Sequence, residues 1–251
     1  MTHAAYADFV RSKVRFDTHY GFPVADSDIH PALFPHQRQI VRWAAQGGRR
    51  GIFASFGLGK TVLSLELMRL VTEHVGGRAL IVCPLGVRQE FAHDAEHVLG
   101  MPRPRFIRRT SEVDGDGLYL TNYESVRDGR LSAEPFRAVS LDEAAILRNY
   151  GTLTTQTFAT AFAHCDYRYV ATATPAPNEY RELFEYAHFL GVMDRGQSMT
   201  RFTKRDSTKA NHLTLLDNMA TEFWHWVASW SVWLSSPSQI CDHHKERNPV
   251  D

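Results

Sequence analysis

The stretch Ile52-Phe-Ala-Ser-Phe-Gly-Leu-Gly-Lys-Thr61 combines residue types that can close around a nucleotide triphosphate. Gly57 and Gly59 let backbone N–H groups approach phosphate oxygens with no Cβ in the way, and the helix that follows points its partly positive N-terminus at them. Lys60 has the reach for the β and γ phosphates, and the Thr61 hydroxyl suits Mg²⁺. The Gly-x-x-x-x-Gly-Lys-Ser/Thr spacing is kept with one departure, Ala54 at the first glycine. A second constellation is Leu141-Asp-Glu-Ala144. Asp142 at a strand end would hold Mg²⁺ directly or through water, and Glu143 would orient and deprotonate an attacking water. Each motif alone has a plainer explanation: a Gly-rich turn with a solvated lysine, or an acidic helix start. Found on one sheet, they point to phosphoryl transfer.

Two further segments carry polar groups that such a site can use. Gln37, in Phe34-Pro-His-Gln37, offers an amide donor and acceptor that match the adenine edge. Thr172 and Thr174, in Ala171-Thr-Ala-Thr-Pro175, would couple the γ-phosphate region to moving parts of the protein. Alone, Gln37 also reads as a helix start and the threonines as a β-branched strand end.

These residues need a frame. Helices are predicted at Gln37 to Ala45, through Leu63, Leu67, Leu70 and Val71 up to Gly76-Gly77, at Val87 to Val98, and at Thr154 to Phe162. Short apolar runs at Gly51 to Ala54, Ala79 to Cys83, Leu118 to Thr121, Phe136 to Leu141 and Tyr167 to Ala171 read as strands. Their alternation with helices implies an α/β fold with a mainly parallel sheet covered on both faces. Ligands in such sheets sit at the carboxyl ends of the strands, which is where the polar loops fall. Phe223, Trp226, Val227, Trp230 and Trp233 fit one helical face, which reads as a helix packed on the lobe or as a sticky face for a second lobe.

Composition sets bounds. The chain has 251 residues, is 43% hydrophobic and 22% charged, and balances 28 basic against 28 acidic side chains. Bulk charge therefore gives no support for nucleic-acid binding, although a local groove can still be basic. No run has the apolar length of a membrane span, and residues 1–16 lack a signal-peptide centre. Three scattered cysteines, Cys83, Cys165 and Cys241, fit a reduced, cytoplasmic setting. Cys241 with His243 and His244 lacks a second ligand pair of zinc spacing.

From about Leu33 to Leu190 the motifs together resemble the N-terminal, RecA-like motor lobe of superfamily 2 helicases and translocases, closest to the Swi/Snf-like group. Leu33 to Gln37 resembles the adenine-recognising glutamine motif, and Phe56 to Thr61 resembles motif I. Ile81-Val-Cys-Pro-Leu-Gly-Val-Arg-Gln-Glu-Phe91 is similar to motif Ia, and Leu120-Thr-Asn-Tyr-Glu-Ser125 to the nucleic-acid motif after it. Asp142-Glu-Ala-Ala145 resembles motif II, with Ala145 where many relatives carry His or Asp and Asn149 where a Lys-Asn step is common. Thr172-Ala-Thr-Pro-Ala-Pro-Asn178 resembles motif III.

The resemblance implies a RecA-like P-loop fold in three layers and ATP hydrolysis with Mg²⁺. Catalysis would fall to Lys60, Asp142 and Glu143. ATP would be bound by Gln37, Gly57, Gly59, Lys60 and Thr61, and the metal by Thr61 and Asp142. It also implies movement on nucleic acid, usually double-stranded DNA, gripped through its backbone by Pro84, Gly86, Arg88, Thr121, Asn122 and Tyr123. Arg103, Arg105, Arg108 and Arg109 are a basic cluster that serves equally as a solvated loop face. The expected organisation is an N-terminal arm at 1–32, a RecA-like ATP-binding domain at 33–195 and a helical extension with a frayed end at 196–251.

The expected organisation has no second RecA-like lobe and no arginine finger. About 75 residues follow the motif III segment, fewer than a lobe of the usual domain size needs. An arginine finger contributes on the order of 10³–10⁵ in rate. The expectation is a chain that alone binds Mg²⁺–ATP weakly, hydrolyses it slowly and does not translocate, its second lobe lying in a longer chain or a partner. Two other readings share the fold: a non-enzymatic nucleotide-binding scaffold, and the motor part of a restriction-modification assembly. The intact Asp142-Glu143 pair favours an enzyme.

Overall fold

A computed structural model describes residues 20–148, 153–175, 180–205 and 213–236. Asn149, Asn178, Cys241, His243, His244, residues 1–19 of the arm and the end from 237 onward lie outside these residues.

Among the described residues the main sheet has seven strands, all parallel, in the order β3-β4-β2-β5-β6-β1-β9. These are β1 (Arg49–Ala54), β2 (Arg78–Val82), β3 (Arg105–Phe106), β4 (Gly117–Thr121), β5 (Ala138–Asp142), β6 (Tyr167–Thr172) and β9 (Ser231–Leu234). A separate antiparallel pair, β7 (Thr203–Arg205) and β8 (Leu213–Leu215), lies off the main sheet. The helices are α1 (Pro35–Gly47), α2 (Lys60–Val75), α3 (Arg88–His97), α4 (Tyr123–Arg127), α5 (Leu153–Ala161), α6 (Arg181–Leu190), α7 (Arg195–Phe202) and α8 (Ala220–Trp230).

Strand periodicity divides the apolar side chains between two faces. Ile52, Ala54, Ala79, Ile81 and Leu120 pack with α1, α2 and α3. Their neighbours Phe53, Leu80, Val82 and Tyr119 pack with α4 through α8. Both faces are thus dry, which explains why these strands read as unbroken apolar runs rather than alternating ones. Helix α2 is buried more widely than a single face: Thr61, residues 63–68, Leu70 and Val71 are all buried, Glu66 among them. Glu66 tolerates this because its carboxylate accepts from the His30 N–H at 2.7 Å and from the Arg69 guanidinium at 2.8 Å. Gly76, at φ 64°, ends the helix where the sequence predicts, its N–H donating to the Thr72 carbonyl.

The C-terminal aromatic pattern divides. Phe223, Trp226, Val227 and Trp230 lie on α8 and are buried, as their spacing predicts. Trp233 does not continue that face. The chain turns extended at Ser231 and adds β9 in parallel beside β1, so Trp233 stands on a strand and is 43% exposed. The free hydrogen-bonding edge of β1 outweighs helical spacing there. The short edge strand β3 is likewise not foreseen by the sequence reading.

Candidate functional site

The loops after β1, β5 and β6 open on the same, carboxyl, edge of the sheet, β6 lying between the other two. The first turns sharply through Gly57 at φ 79° and Gly59 at φ 70° into α2. A Cβ on Gly59 would stand 2.5 Å from Gln37 Nε2, so the third element at this loop is the start of α1. Gln37 is buried, its Oε1 accepting the Phe34 N–H at 2.9 Å and its Nε2 donating to the Leu58 carbonyl at 3.3 Å. Its amide therefore braces the loop, and one amide hydrogen and one lone pair remain for a ligand. The loop's other end is anchored by β9, where the Leu234 carbonyl accepts the Ser55 N–H at 2.9 Å.

Lys60 folds over its own loop. Its Nζ donates to the Ala54 and Ser55 carbonyls at 3.0 and 3.2 Å and lies 5.1 Å from the centre of the Phe56 ring. The Thr61 hydroxyl donates to Glu90 Oε1 at 3.0 Å. Asp142 ends β5 with 8% exposure, and its main-chain carbonyl accepts the buried Tyr123 hydroxyl at 2.7 Å. Burial pushes the Asp142 carboxyl up to about 7; Glu143 pushes the same way, Lys60 opposes it, and Glu90 adds to the rise. Lys60, far from Asp142 in the chain, thus acts on its carboxylate across the edge.

Glu143 has φ 51°, the one positive value outside glycine among the described residues. Such backbone costs on the order of 1–3 kcal/mol and collects at functional sites. Its Oε1 accepts the Thr172 hydroxyl at 3.0 Å, and Thr172 Oγ1 in turn accepts the Thr174 N–H at 3.2 Å. The acidic turn and the threonine segment are joined by that chain of bonds.

Two hard oxygen donors, Thr61 Oγ1 and the Asp142 carboxylate, are linked through Glu90, which accepts the Thr61 proton and whose charge acts on Asp142. That donor set fits Mg²⁺, which prefers one or two protein oxygens and keeps the rest of its shell for water and phosphate.

The expected nucleic-acid strip splits in two. Gly86 is exposed and Pro84 half-buried on the loop leading into α3, and Arg88, exposed, is the first residue of that helix. Thr121, Asn122 and Tyr123 are buried, and their side chains bond within the lobe. Thr121 Oγ1 donates to the Ile107 carbonyl at 2.8 Å, Asn122 bonds Glu124 and Ser125 around the start of α4, and Tyr123 holds Asp142. Their polar atoms support the lobe. The arginine cluster is partly spoken for: Arg103 pairs with Glu96, and Arg105 donates to the Asp116 carbonyl. Two participants escape the sequence reading. Glu90 looks like an ordinary first-turn acid, and the brace from Leu234 carries no side-chain signature at all.

Comparison with known proteins follows the same lines. The family model described as the SNF2-related domain matches residues 36–222. The Sulfolobus solfataricus SWI2/SNF2 ATPase core in complex with dsDNA is similar in structure, with a TM-score of 0.66 and 20% identity over 84% of this chain and 46% of that one. The same organism's SWI2/SNF2 ATPase core domain gives 0.60 and 20% over 86% and 48%. The UvsW helicase of bacteriophage T4 gives 0.51 and 14% over 64% and 58%. This chain therefore spans less than half the length of the two Sulfolobus cores. No curated protein matches it in sequence. At these identities the structures show a shared fold, the α/β three-layer lobe built on a parallel sheet.

Proposed function

The chain belongs to the SNF2-related domain family, and from that premise we propose that its lobe is the ATP-binding half of a DNA-dependent ATPase of the helicase and translocase type. The observation that carries this reading is that the glycine loop bearing Lys60 and Thr61 and the acidic turn, where the strained Glu143 accepts from Thr172, open on one edge of the sheet, with the Lys60 charge acting on Asp142.

In this reading the backbone of residues 54–61 and the start of α2 cradle the phosphates, and Lys60 leaves its loop carbonyls for the β and γ oxygens. Gln37 offers its remaining donor and acceptor to the adenine. Thr61 and Asp142 hold Mg²⁺, which when bound neutralises charge on the phosphate oxygens. Glu143 orients a water and takes its proton as the water oxygen bonds to the γ-phosphorus and the bond to the ADP oxygen breaks. Thr172 and Thr174 relay the state of Glu143 to the rest of the lobe. Double-stranded DNA is met through its phosphate backbone at Pro84, Gly86 and Arg88. The arginine that completes catalysis is assigned to a second RecA-like lobe, in a longer chain or a partner. No helix among the described residues is long and apolar enough to cross a membrane, and Cys83 and Cys165 are free thiols, which is compatible with a cytoplasmic protein.

Titration with a fluorescent ATP analogue, with and without Mg²⁺, and steady-state ATPase with and without duplex DNA test the reading. The expected result is weak, Mg²⁺-dependent binding and slow turnover that DNA does not raise. Failure to bind Mg²⁺–ATP at millimolar concentration overturns the nucleotide assignment. Brisk DNA-stimulated turnover by this chain alone overturns the assignment of the arginine to another lobe.

A further inference from the structure

Thr61 stands in the first turn of α2, with no helical carbonyl one turn behind it, and its hydroxyl finds its partner outside the helix. Threonines inside helices commonly return their proton to the carbonyl one turn back, as Thr72 of α2 does to Met68 at 2.6 Å. Thr61 sends its proton out of α2, to Glu90 in the first turn of α3. An acid in that turn is favoured by the helix dipole, which accounts for the residue type but not for its reach to Thr61. Glu90 is an exposed residue, so nothing in the packing compels it to turn inward. A hydroxyl has one proton and two lone pairs. With the proton fixed on Glu90, both lone pairs are free for a cation.

We propose that Glu90 is a positioning residue for the metal, holding Thr61 by its proton so that the hydroxyl oxygen faces Mg²⁺. This rests on the assignment of Thr61 and Asp142 as the metal's ligands. Outer partners of this kind fix ligand orientation, and their loss typically costs 10–100-fold in metal affinity. The charges of Glu90 and Glu143 both act on Asp142, with Lys60 opposing them, so this edge is net negative. Such an edge repels a bare triphosphate and attracts a divalent cation. The effect of Glu90 on nucleotide binding therefore changes sign with the metal: unfavourable without Mg²⁺, favourable with it.

Fluorescent-nucleotide titrations of the full chain in Mg²⁺ and in chelator, for wild type, Glu90→Gln and Glu90→Ala, test this directly. In Mg²⁺ the affinity of Glu90→Ala should fall about tenfold or more. Glu90→Gln keeps an acceptor for Thr61 but loses the charge, so its loss should be smaller. In chelator both variants should bind as well as wild type or better, with thermal midpoints unchanged because Glu90 is exposed. Variants that keep the wild-type ratio of affinities with and without Mg²⁺ overturn the role of Glu90 and leave the ATP site standing. A wild-type chain whose affinity ignores Mg²⁺ overturns the ligand assignment, and this inference with it.

Discussion

The loop after β1 and the turn after β5 reach one site by opposite backbone chemistry. The first uses glycine at both of its left-handed positions, Gly57 and Gly59. The second puts a side chain there, Glu143 at φ 51°. Where backbone N–H groups are the ligand, a Cβ is an obstruction, and at Gly59 it would strike Gln37. Where the carboxylate is the reagent, the side chain must stay and the strain is tolerated. It is held by neighbours on either side, Thr172 on the Glu143 carboxylate and Tyr123 on the Asp142 carbonyl. The lesson is that left-handed backbone marks both loops, but the residue filling it tells whether main chain or side chain does the work.

The largest effect expected concerns that reagent. Glu143→Gln should cut whatever turnover the chain supports, alone or with its second lobe, by about 10²–10⁴-fold while leaving nucleotide affinity intact. Parallel ATPase and binding assays read both, and undiminished turnover would remove Glu143 from the role of base.

A middle-sized effect concerns buried charge, which the β5 turn carries and the glycine loop does not. The folded Asp142 carboxyl titrates near 7, above its ordinary 3.8, so between those values the folded state keeps a proton that the unfolded chain releases. Its contribution to stability is full below pH 4 and is lost as the pH rises through 7. In metal-free buffer Asp142→Asn should therefore raise the thermal midpoint at pH 8 by several degrees, on the order of the shift that 1–2 kcal/mol brings, and by little at pH 4. Equal gains at both pH values would mean that the ionised carboxylate is not what costs stability.

The smallest effect isolates the strain. Glu143→Ala and Glu143→Gly both lose the bond from Thr172, so their difference reports backbone alone. The glycine variant should be more stable by about 1 kcal/mol in denaturant titration. An alanine variant as stable as the glycine one would erase the contrast between the two loops.

The phosphate loop is legible in the sequence because its chemistry is local: glycine spacing, the lysine and the helix that follows are set by neighbours in the chain. The same holds for Asp142 and Glu143 at the end of an apolar run. Thr121, Asn122 and Tyr123 show the limit. Adjacent residues alone could not reveal that the Ile107 and Asp142 carbonyls would take up the hydroxyls of Thr121 and Tyr123 and draw them inside. Trp233 shows another, since helical spacing holds only until a free strand edge offers better hydrogen bonds.

What the sequence by itself determines is the set of reactive groups and the strand-then-helix grammar that places each at the end of a strand, because apolar periodicity and turn residues act over a few positions. The order of strands in the sheet, the pairing of β9 with β1, the turning of Glu90 onto Thr61 and the influence of the Lys60 charge on Asp142 belong to the tertiary structure. They depend on packing between segments that are remote in the chain, and no local pattern encodes which remote surface a segment will find.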